Sequence, residues 1–448
     1  MKKNLFQLAG PIFIEILLLM LLGVADIFML SQFDDNAAGA VQISNQIIKN
    51  INIIFVIISS GTAVLIAQNV GADNKEEVER VSAVSLIINF IIGIMVSISM
   101  IIYGEEVLKI LGMSSNLMKY AADYITIVGG ALFFQSILTT LIRIIQSHGF
   151  TKQSMFISII MNVINIIGDA IFIFGLFGAP VLGVKGVAIV TTFSRGLATL
   201  IAFFFVFKKL MPIKDTFVHI TQKPIVAMKR LIMIGFPAAM ENMSYGLYQT
   251  VMTGVILTNL GDIPSITRGY VWTIAWFVMI FSLAIGQANQ IMIGQYIGED
   301  KPEEAYNTGL KNFKIAMIFS VIGGIILFFY GRYFLEIYTD NPKIISLGAS
   351  VLLVDAFLEP GRTFNVVLIN GLRGAGDVIF PVIMAIISMW GIGLLGGYIF
   401  GVVLGFGLPG IWIGFLIDEW LRGICMLFRW RGKKWLNKSM VNNEELTT

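Results

Sequence analysis

Residues 5–31 read LFQLAGPIFIEILLLMLLGVADIFMLS, twenty-seven positions of which only Glu15 and Asp26 carry charge. About 20 mostly apolar residues in helical form cross the roughly 30 Å of hydrocarbon in a bilayer, so this stretch reads as a membrane span. Lys2 and Lys3 precede it, but no small-residue cleavage site follows and the apolar run outlasts a signal peptide; it is a first span and not a leader. The whole chain agrees, with 56% hydrophobic residues, 13% charged residues and a mean hydropathy of +0.83 over 448 residues. That composition excludes a set of soluble domains, because the apolar surface has to face lipid. The formal charge of +3 is not gathered into a basic patch, so nucleic acid is no expected partner; the lipid bilayer is. Cys425 is the single cysteine, which rules out an intrachain disulfide and a cysteine metal cluster.

Scanning outward from the first span gives twelve apolar runs, at 5–31, 44–70, 84–104, 120–145, 154–177, 184–207, 229–257, 267–297, 311–330, 344–370, 378–402 and 409–428. With both termini inside, the inner segments hold 21 Lys and Arg residues and the outer loops 6. Cytoplasmic loops retain basic residues, so both termini are expected in the cytoplasm and the protein in the plasma membrane as a multi-pass chain.

The basic segment 208–228 separates six spans from six, and the two sets repeat each other. Gly10-Pro11-Ile12-Phe13-Ile14-Glu15 answers Phe236-Pro237-Ala238-Ala239-Met240-Glu241, and Gln68-Asn69-Val70-Gly71 answers Gln295-Tyr296-Ile297-Gly298. Gly149-Phe150-Thr151-Lys152 answers Gly374-Ala375-Gly376-Asp377, and Gly186-Val187-Ala188-Ile189 answers Gly410-Ile411-Trp412-Ile413, with offsets between 224 and 227 throughout. Copies of six spans share one topology and are related by an axis along the membrane normal, a design that encloses a central cavity. The expected fold is therefore an all-α integral membrane protein of twelve transmembrane helices in two six-helix repeats. Its parts are an N-terminal lobe over 1–207, a cytoplasmic linker over 208–228, a C-terminal lobe over 229–430 and a polar tail over 431–448.

Ionisable side chains at membrane depth cost several kcal/mol unless they find a partner or a wet cavity, which makes each one a functional candidate. In the first half these are Glu15, Asp26 and Asp169, with Arg195 placed at the inner end of span 6; in the second they are Glu241, Asp355, Glu359, Arg362, Asp418, Glu419 and Arg422. Asn162, Asn165 and Asp169 are spaced three and four apart and project from one helical face. Two amides and a carboxylate suit a dehydrated cation such as Na+ or a proton relay, and two carboxylates brought close in low dielectric cannot both stay charged. The two asparagines could equally bond neighbouring helices. Pro11 bends span 1 as a hinge, or simply sits near a helix start. Glu359-Pro360-Gly361-Arg362 is read as a break in span 10 carrying either a structural ion pair or a transport role. Glu15 and Glu241 are expected near the inner surface, bonded to the opposite half. Asp418, Glu419 and Arg422 lie within one turn and should neutralise one another. The 22 Met and 34 Phe residues provide soft, polarizable walls, and His148 and His219 lack metal-ligand spacing. No G-x-x-x-x-G-K-[ST] occurs, so there is no built-in ATPase; an ion gradient drives transport or the protein is a passive conduit. No nucleophile-and-base pair marks an enzyme, and no cofactor is implied beyond H+ or Na+ as coupling ion.

These motifs resemble the multidrug and toxic compound extrusion (MATE) family of cation-coupled antiporters over nearly all of residues 5–430. The resemblance rests on Pro11 followed fifteen residues on by Asp26, on Ala67-Gln68-x-x-Gly71-x-x-x-x-Glu76 and its copy, on Asn165-x-x-x-Asp169, and on Leu372-Arg373-Gly374-Ala375-Gly376-Asp377. It implies a prokaryotic branch whose cation or proton site, formed by Asp26, Asn165, Asp169 and Thr191, lies in the N-terminal lobe, with Pro11 bending span 1 as protonation changes. A branch with a C-lobe site uses acids at positions that here hold Tyr245 and Arg362, although Glu241 and Glu359 are available for a different arrangement. The implied activity is export of small organic, often cationic, compounds by alternating access, one chain to a transport unit. A lipid-linked precursor flippase of the same superfamily and an uncoupled channel are the alternatives.

Overall fold

In a computed structural model, described over residues 4–218 and 224–440, the chain forms a bundle of twelve membrane-spanning helical segments. The first half comprises α1 (Leu5–Ser31), α2 (Asp35–Gly71), α3 (Lys75–Ile110), α4 (Ser115–Gly129 with Leu132–Ser147), α5 (Thr151–Phe174) and α6 (Val184–Leu210). The second comprises α7 (Pro224–Leu260), α8 (Asp262–Gly298), α9 (Pro302–Tyr338), α10 (Pro342–Gly374), α11 (Ile379–Val403) and α12 (Gly407–Arg431). A short helix, Ile213–Val218, occupies part of the expected linker; linker residues 219–223 with His219 and Lys223, tail residues 441–448, and Lys2 and Lys3 lie outside the described residues.

Several helices run to 37 residues, about 55 Å at 1.5 Å per residue, so they project beyond the hydrocarbon where the sequence runs end. Nine described helices are apolar enough to span by composition alone, and α4 makes a tenth as a pair of segments bent by 49°. The bend falls at Gly129-Gly130, packed against Met100 and Ile101 of α3. The less apolar helices, α7 and α12, carry Glu241 and the Asp418-Glu419-Arg422 cluster, whose charges are neutralised inside the bundle.

The three helix-interior prolines leave α1, α7 and α10 continuous. Pro360 therefore does not break the tenth span as its sequence suggested. A helical proline frees the carbonyl four residues earlier, and the fold covers two of these. The carbonyl of Gln7, freed by Pro11, accepts from the Thr151 hydroxyl of α5 at 3.2 Å. The carbonyl of Ala356, freed by Pro360, lies against Gly324 of α9, where a Cβ would sit 2.5 Å away.

The halves meet at the end of the bundle where both Asn4 and Met440 lie, here called the basal end. Gln68 Nε2 donates to the carbonyl of Gly374, and Gln295 Nε2 to that of Ser147, each at 2.9 Å. The two bonds are copies, because both donor and acceptor positions are related by 227 residues. Two glycine contacts repeat the pattern: a Cβ on Gly71 would stand 2.0 Å from the Gln295 carbonyl, and one on Gly298 1.8 Å from the Gln68 carbonyl. Further along, Gly61 abuts the backbone of Leu231, and Gly235 that of Ile57. Apolar cores divide in the same way. Val64, Leu65 and Ile66 share one with Leu231 and Ile234, and Leu5, Leu8 and Ile12 share one with Ala284, Ile285 and Ala288. At the distal end each half keeps its own core, around Leu30, Phe55 and Val187 in the first and Met252, Leu352 and Trp412 in the second. The bundle is sealed basally and divided distally.

Because only a hydrogen fits where Gly235 meets the Ile57 carbonyl, Gly235→Val will hold the basal end open. A cysteine placed at Ser60 in a Cys425→Ser background should then react several-fold faster with an impermeant maleimide from the basal side. Unchanged reactivity would show that the glycine contact does not hold the seal.

Candidate functional site

The distal part of the first half gathers the polar residues that the first six spans carry. On α5 the helical repeat puts Asn162, Asn165 and Asp169 on one buried face, with 2%, 1% and 0% exposure. Asp26, near the distal end of α1, comes up against Asp169, and Arg195 of α6 acts electrostatically on Asp26. Thr191, one turn before Arg195, accepts from Asn165 Nδ2 at 3.2 Å. Arg195 thus lies in the middle of its helix facing the carboxylates, not at the inner end of span 6 where the sequence reading set it.

Two further residues complete the group, neither singled out from sequence. Tyr124 of α4 is buried beside Asp26, Asp169 and Arg195, and its hydroxyl donates to Asn45 Oδ1 of α2 at 2.9 Å. A lone tyrosine and a lone asparagine on separate apolar helices carry no spacing signal that could have marked them.

The oxygens of this cluster stand out for what they lack. Asp26 Oδ1, both carboxyl oxygens of Asp169, and the amide oxygens of Asn162 and Asn165 are buried without a hydrogen-bond partner. Asn162 Nδ2 turns back on its own helix to the Ser158 carbonyl at 2.6 Å. Each unpaired buried acceptor costs about 1–3 kcal/mol, more when charged, so the cluster is poised to gain a proton or a small monovalent cation. Carboxylate, amide and hydroxyl oxygens fit either one, since all are hard donors.

The expected partners of Glu15 and Glu241 are corrected by the geometry. Glu15 accepts from Ser154 Oγ at 2.9 Å and from Gln146 Nε2 at 3.2 Å, and Glu241 binds Arg373 at 2.5 Å, so each stays within its own half. In both halves the glutamate of the first repeat helix meets the basal end of the fourth. In the turn after α4, His148 bonds the Ile144 carbonyl at 2.8 Å, and burial lowers its pKa below the ordinary value, keeping the ring neutral at neutral pH.

The sequence model of the family described as MatE matches residues 11–171 and, a second time, residues 237–399. The chain belongs to the MatE family. The double match coincides with the internal repeat, and the fold is that of a multi-pass membrane transporter, not an enzyme. This MatE chain is 41% identical to the "Uncharacterized transporter YisQ" of Bacillus subtilis, over 98% of its own length and 96% of the relative's. It is 25% identical to the "Probable multidrug resistance protein NorM" of Thermotoga maritima, over 99% and 95%. A solved MOP superfamily transporter from Pyrococcus furiosus superposes with a TM-score of 0.87 at 21% identity, covering 97% of this chain and 96% of that one.

The second half of this MatE chain treats its charges differently. Arg362 pairs with Glu359 one turn earlier on α10 and reaches Glu419 of α12 at 3.9 Å. Arg422 binds Asp418 at 2.7 Å and Glu419 at 2.9 Å, while Asp355 accepts from Trp412 Nε1 at 2.9 Å. Tyr245 and Arg362 line one small cavity together with Asp418 and Glu419. Here arginines meet Glu359, Asp418 and Glu419, although Asp355 Oδ2 and Glu359 Oε2 have no hydrogen-bond partner, whereas in the first half Asp26 and Asp169 have no arginine in hydrogen-bond contact.

Two outcomes follow from these pairings. Arg362→Met strands Glu359 in a buried site and should destabilise the protein by about 3–5 kcal/mol, while Glu359→Gln/Arg362→Met recovers most of that, read by thermal unfolding in detergent. Thr151→Val leaves the Gln7 carbonyl without its donor and should lower Tm, by the equivalent of about 1–3 kcal/mol; an unchanged Tm would mean that the bond contributes nothing.

Proposed function

We propose that this chain is a cation-coupled antiporter that exports small organic, often cationic, compounds across the plasma membrane. Its two lobes, 1–207 and 229–430, joined by 208–228, rock about the pseudo-twofold axis, and both termini lie in the cytoplasm, which makes the basal seal a cytoplasmic one. The observation that carries this reading is the set of partnerless buried oxygens on Asp26, Asn165 and Asp169 at the distal end of the first half, away from the basal contacts with the second. The printed names of relatives, multidrug resistance proteins among them, point the same way.

In the outward-open arrangement a proton or Na+ enters at Asp26 and Asp169, with Asn165 and Thr191 as neutral ligands. Two facing carboxylates in low dielectric favour a shared positive ion over two free charges. Filling the site lets α1 draw toward α5. Pro11, whose missing N–H makes the α1 backbone easier to bend, is the hinge, and the Thr151 bond to the Gln7 carbonyl ties that hinge to α5. The bend reshapes the lobe and releases substrate outward. The ion need only favour one state by a few kcal/mol to shift the population. The MatE chain works as a single copy in this scheme.

The test is efflux of a fluorescent cationic dye from proteoliposomes under an imposed proton or sodium gradient. Wild type should transport under one of them, and Asp26→Asn and Asp169→Asn should each abolish the gradient-driven component. Intact coupled efflux in Asp26→Asn would remove the site assignment. No dye movement under either gradient would favour the flippase reading.

A further inference from the structure

The basal seam carries a third stretch of chain that the repeat does not require. After α12 ends at Arg431, residues 432–440 run back over the seam instead of leaving it. Trp435 is fully buried, stacked on Trp430 at 4.5 Å, and its indole N–H donates to the Trp430 carbonyl at 2.9 Å. Lys433 pairs with Glu303 in the first turn of α9. The Lys438 carbonyl lies against Gly376 in the turn after α10, where φ is +94° and a Cβ would stand 2.1 Å away. All of these partners belong to the second half, so the segment travels with it.

The end of the segment reaches the first half. Gln68 donates from Nε2 to the Gly374 carbonyl, and its Oε1 accepts from the backbone N–H of Met440 at 2.9 Å, so main chain of the second half holds both ends of one amide on α2. The Met440 side chain is buried in the core that Val64, Leu65 and Ile66 of α2 share with Leu231 and Ile234 of α7. This contact is made once and not twice. Gln295, the repeat partner of Gln68, bonds the Ser147 carbonyl, and its Oε1 has no such backbone donor among the described residues. The stretch that follows α6 forms instead the helix Ile213–Val218, packed on α3 of its own half.

We propose that residues 432–440 are a latch on the basal gate: they ride on the second half, grip the first through Gln68 and the Met440 side chain, and must let go before the bundle opens basally. The proposal rests on the alternating-access reading, since only then does the basal end have to open. Opening parts α2 from the turn after α10, and the segment can follow only one of them. It is fixed to the second half by the Trp435 stack, the Lys433 ion pair and the fit at Gly376, but to the first by one hydrogen bond and one apolar side chain. Release therefore falls at Met440. Contacts of that size bias a two-state equilibrium by about tenfold or more, enough to set how often the basal end opens without locking it.

The test uses the full chain in membrane vesicles that present the basal face, with Ser60→Cys in the Cys425→Ser background as reporter of basal opening. Met440→Asp puts a charge where the core is apolar and should raise the rate of reaction with an impermeant maleimide about tenfold. Met440→Leu refills the same space and should stay within about twofold of the parent. A second reporter, Met252→Cys in the distal core of the second half, should stay unreactive in both, because the latch acts at the seam and not on the fold. A Ser60→Cys rate unchanged by Met440→Asp overturns the proposal, and so does an equal rise at Met252→Cys, which would mean general loosening. Gradient-driven dye efflux by the wild type, measured in parallel, separates this from the reading it rests on. Efflux with no change at Ser60→Cys sinks the latch alone, whereas a tenfold rise at Ser60→Cys without any efflux keeps the latch and sinks the antiporter.

Discussion

The two halves of this protein can close on one another only because four glycines let backbone meet backbone. Lipid supplies no hydrophobic drive between helices, so association within the membrane rests on close van der Waals packing and on carbonyl contacts that small residues permit. Gly61, Gly71, Gly235 and Gly298 each bring a helix of one half against main chain of the other. The arrangement is reciprocal: the Gly71 and Gly298 contacts, and the Gln68 and Gln295 bonds beside them, are the same contact made twice. A seal built from two copies about one axis opens or shuts as a unit, since loosening one copy tilts the half that holds the other. Discrete closure of this kind is what alternating access requires.

Against that shared frame the halves diverge in how they handle buried charge. In the first, the fold brings Asp26 to Asp169 and withholds hydrogen-bond donors from their oxygens, a costly arrangement unless something arrives from outside. In the second, guanidinium groups already occupy that role for Glu359, Asp418 and Glu419. The repeat gives both halves one architecture, and Arg362 and Arg422 supply in the second the pairing that Asp26 and Asp169 lack in the first.

Much of this was legible in the sequence because lipid imposes a strong rule: runs of apolar residues must be spans, and rare charges must matter. The twelve spans, the repeat, and the common face of Asn162, Asn165 and Asp169 follow from length and periodicity alone. Partners across helices do not. Glu241 could have paired across the axis or within its half, since the repeat offers pseudo-equivalent positions in both, and only packing selects Arg373. An apolar run gives no depth for Arg195, which sits midway along its helix beside Asp26. Pro360 reads as a breaker in isolation, yet α10 continues through it with the freed Ala356 carbonyl laid against Gly324.

One contact breaks the twofold pattern of the basal seal. Gln68 accepts from the backbone N–H of Met440 at 2.9 Å, beyond the last span, while Trp435 stacks on Trp430 at 4.5 Å to set the course of that strand. Met440 is buried in the core that α2 shares with α7. The peptide that completes the seal is translated after all twelve helices, so the first lobe can be inserted and the second built beside it while the junction between them is still incomplete. Closure of the junction therefore waits on a segment made after α12.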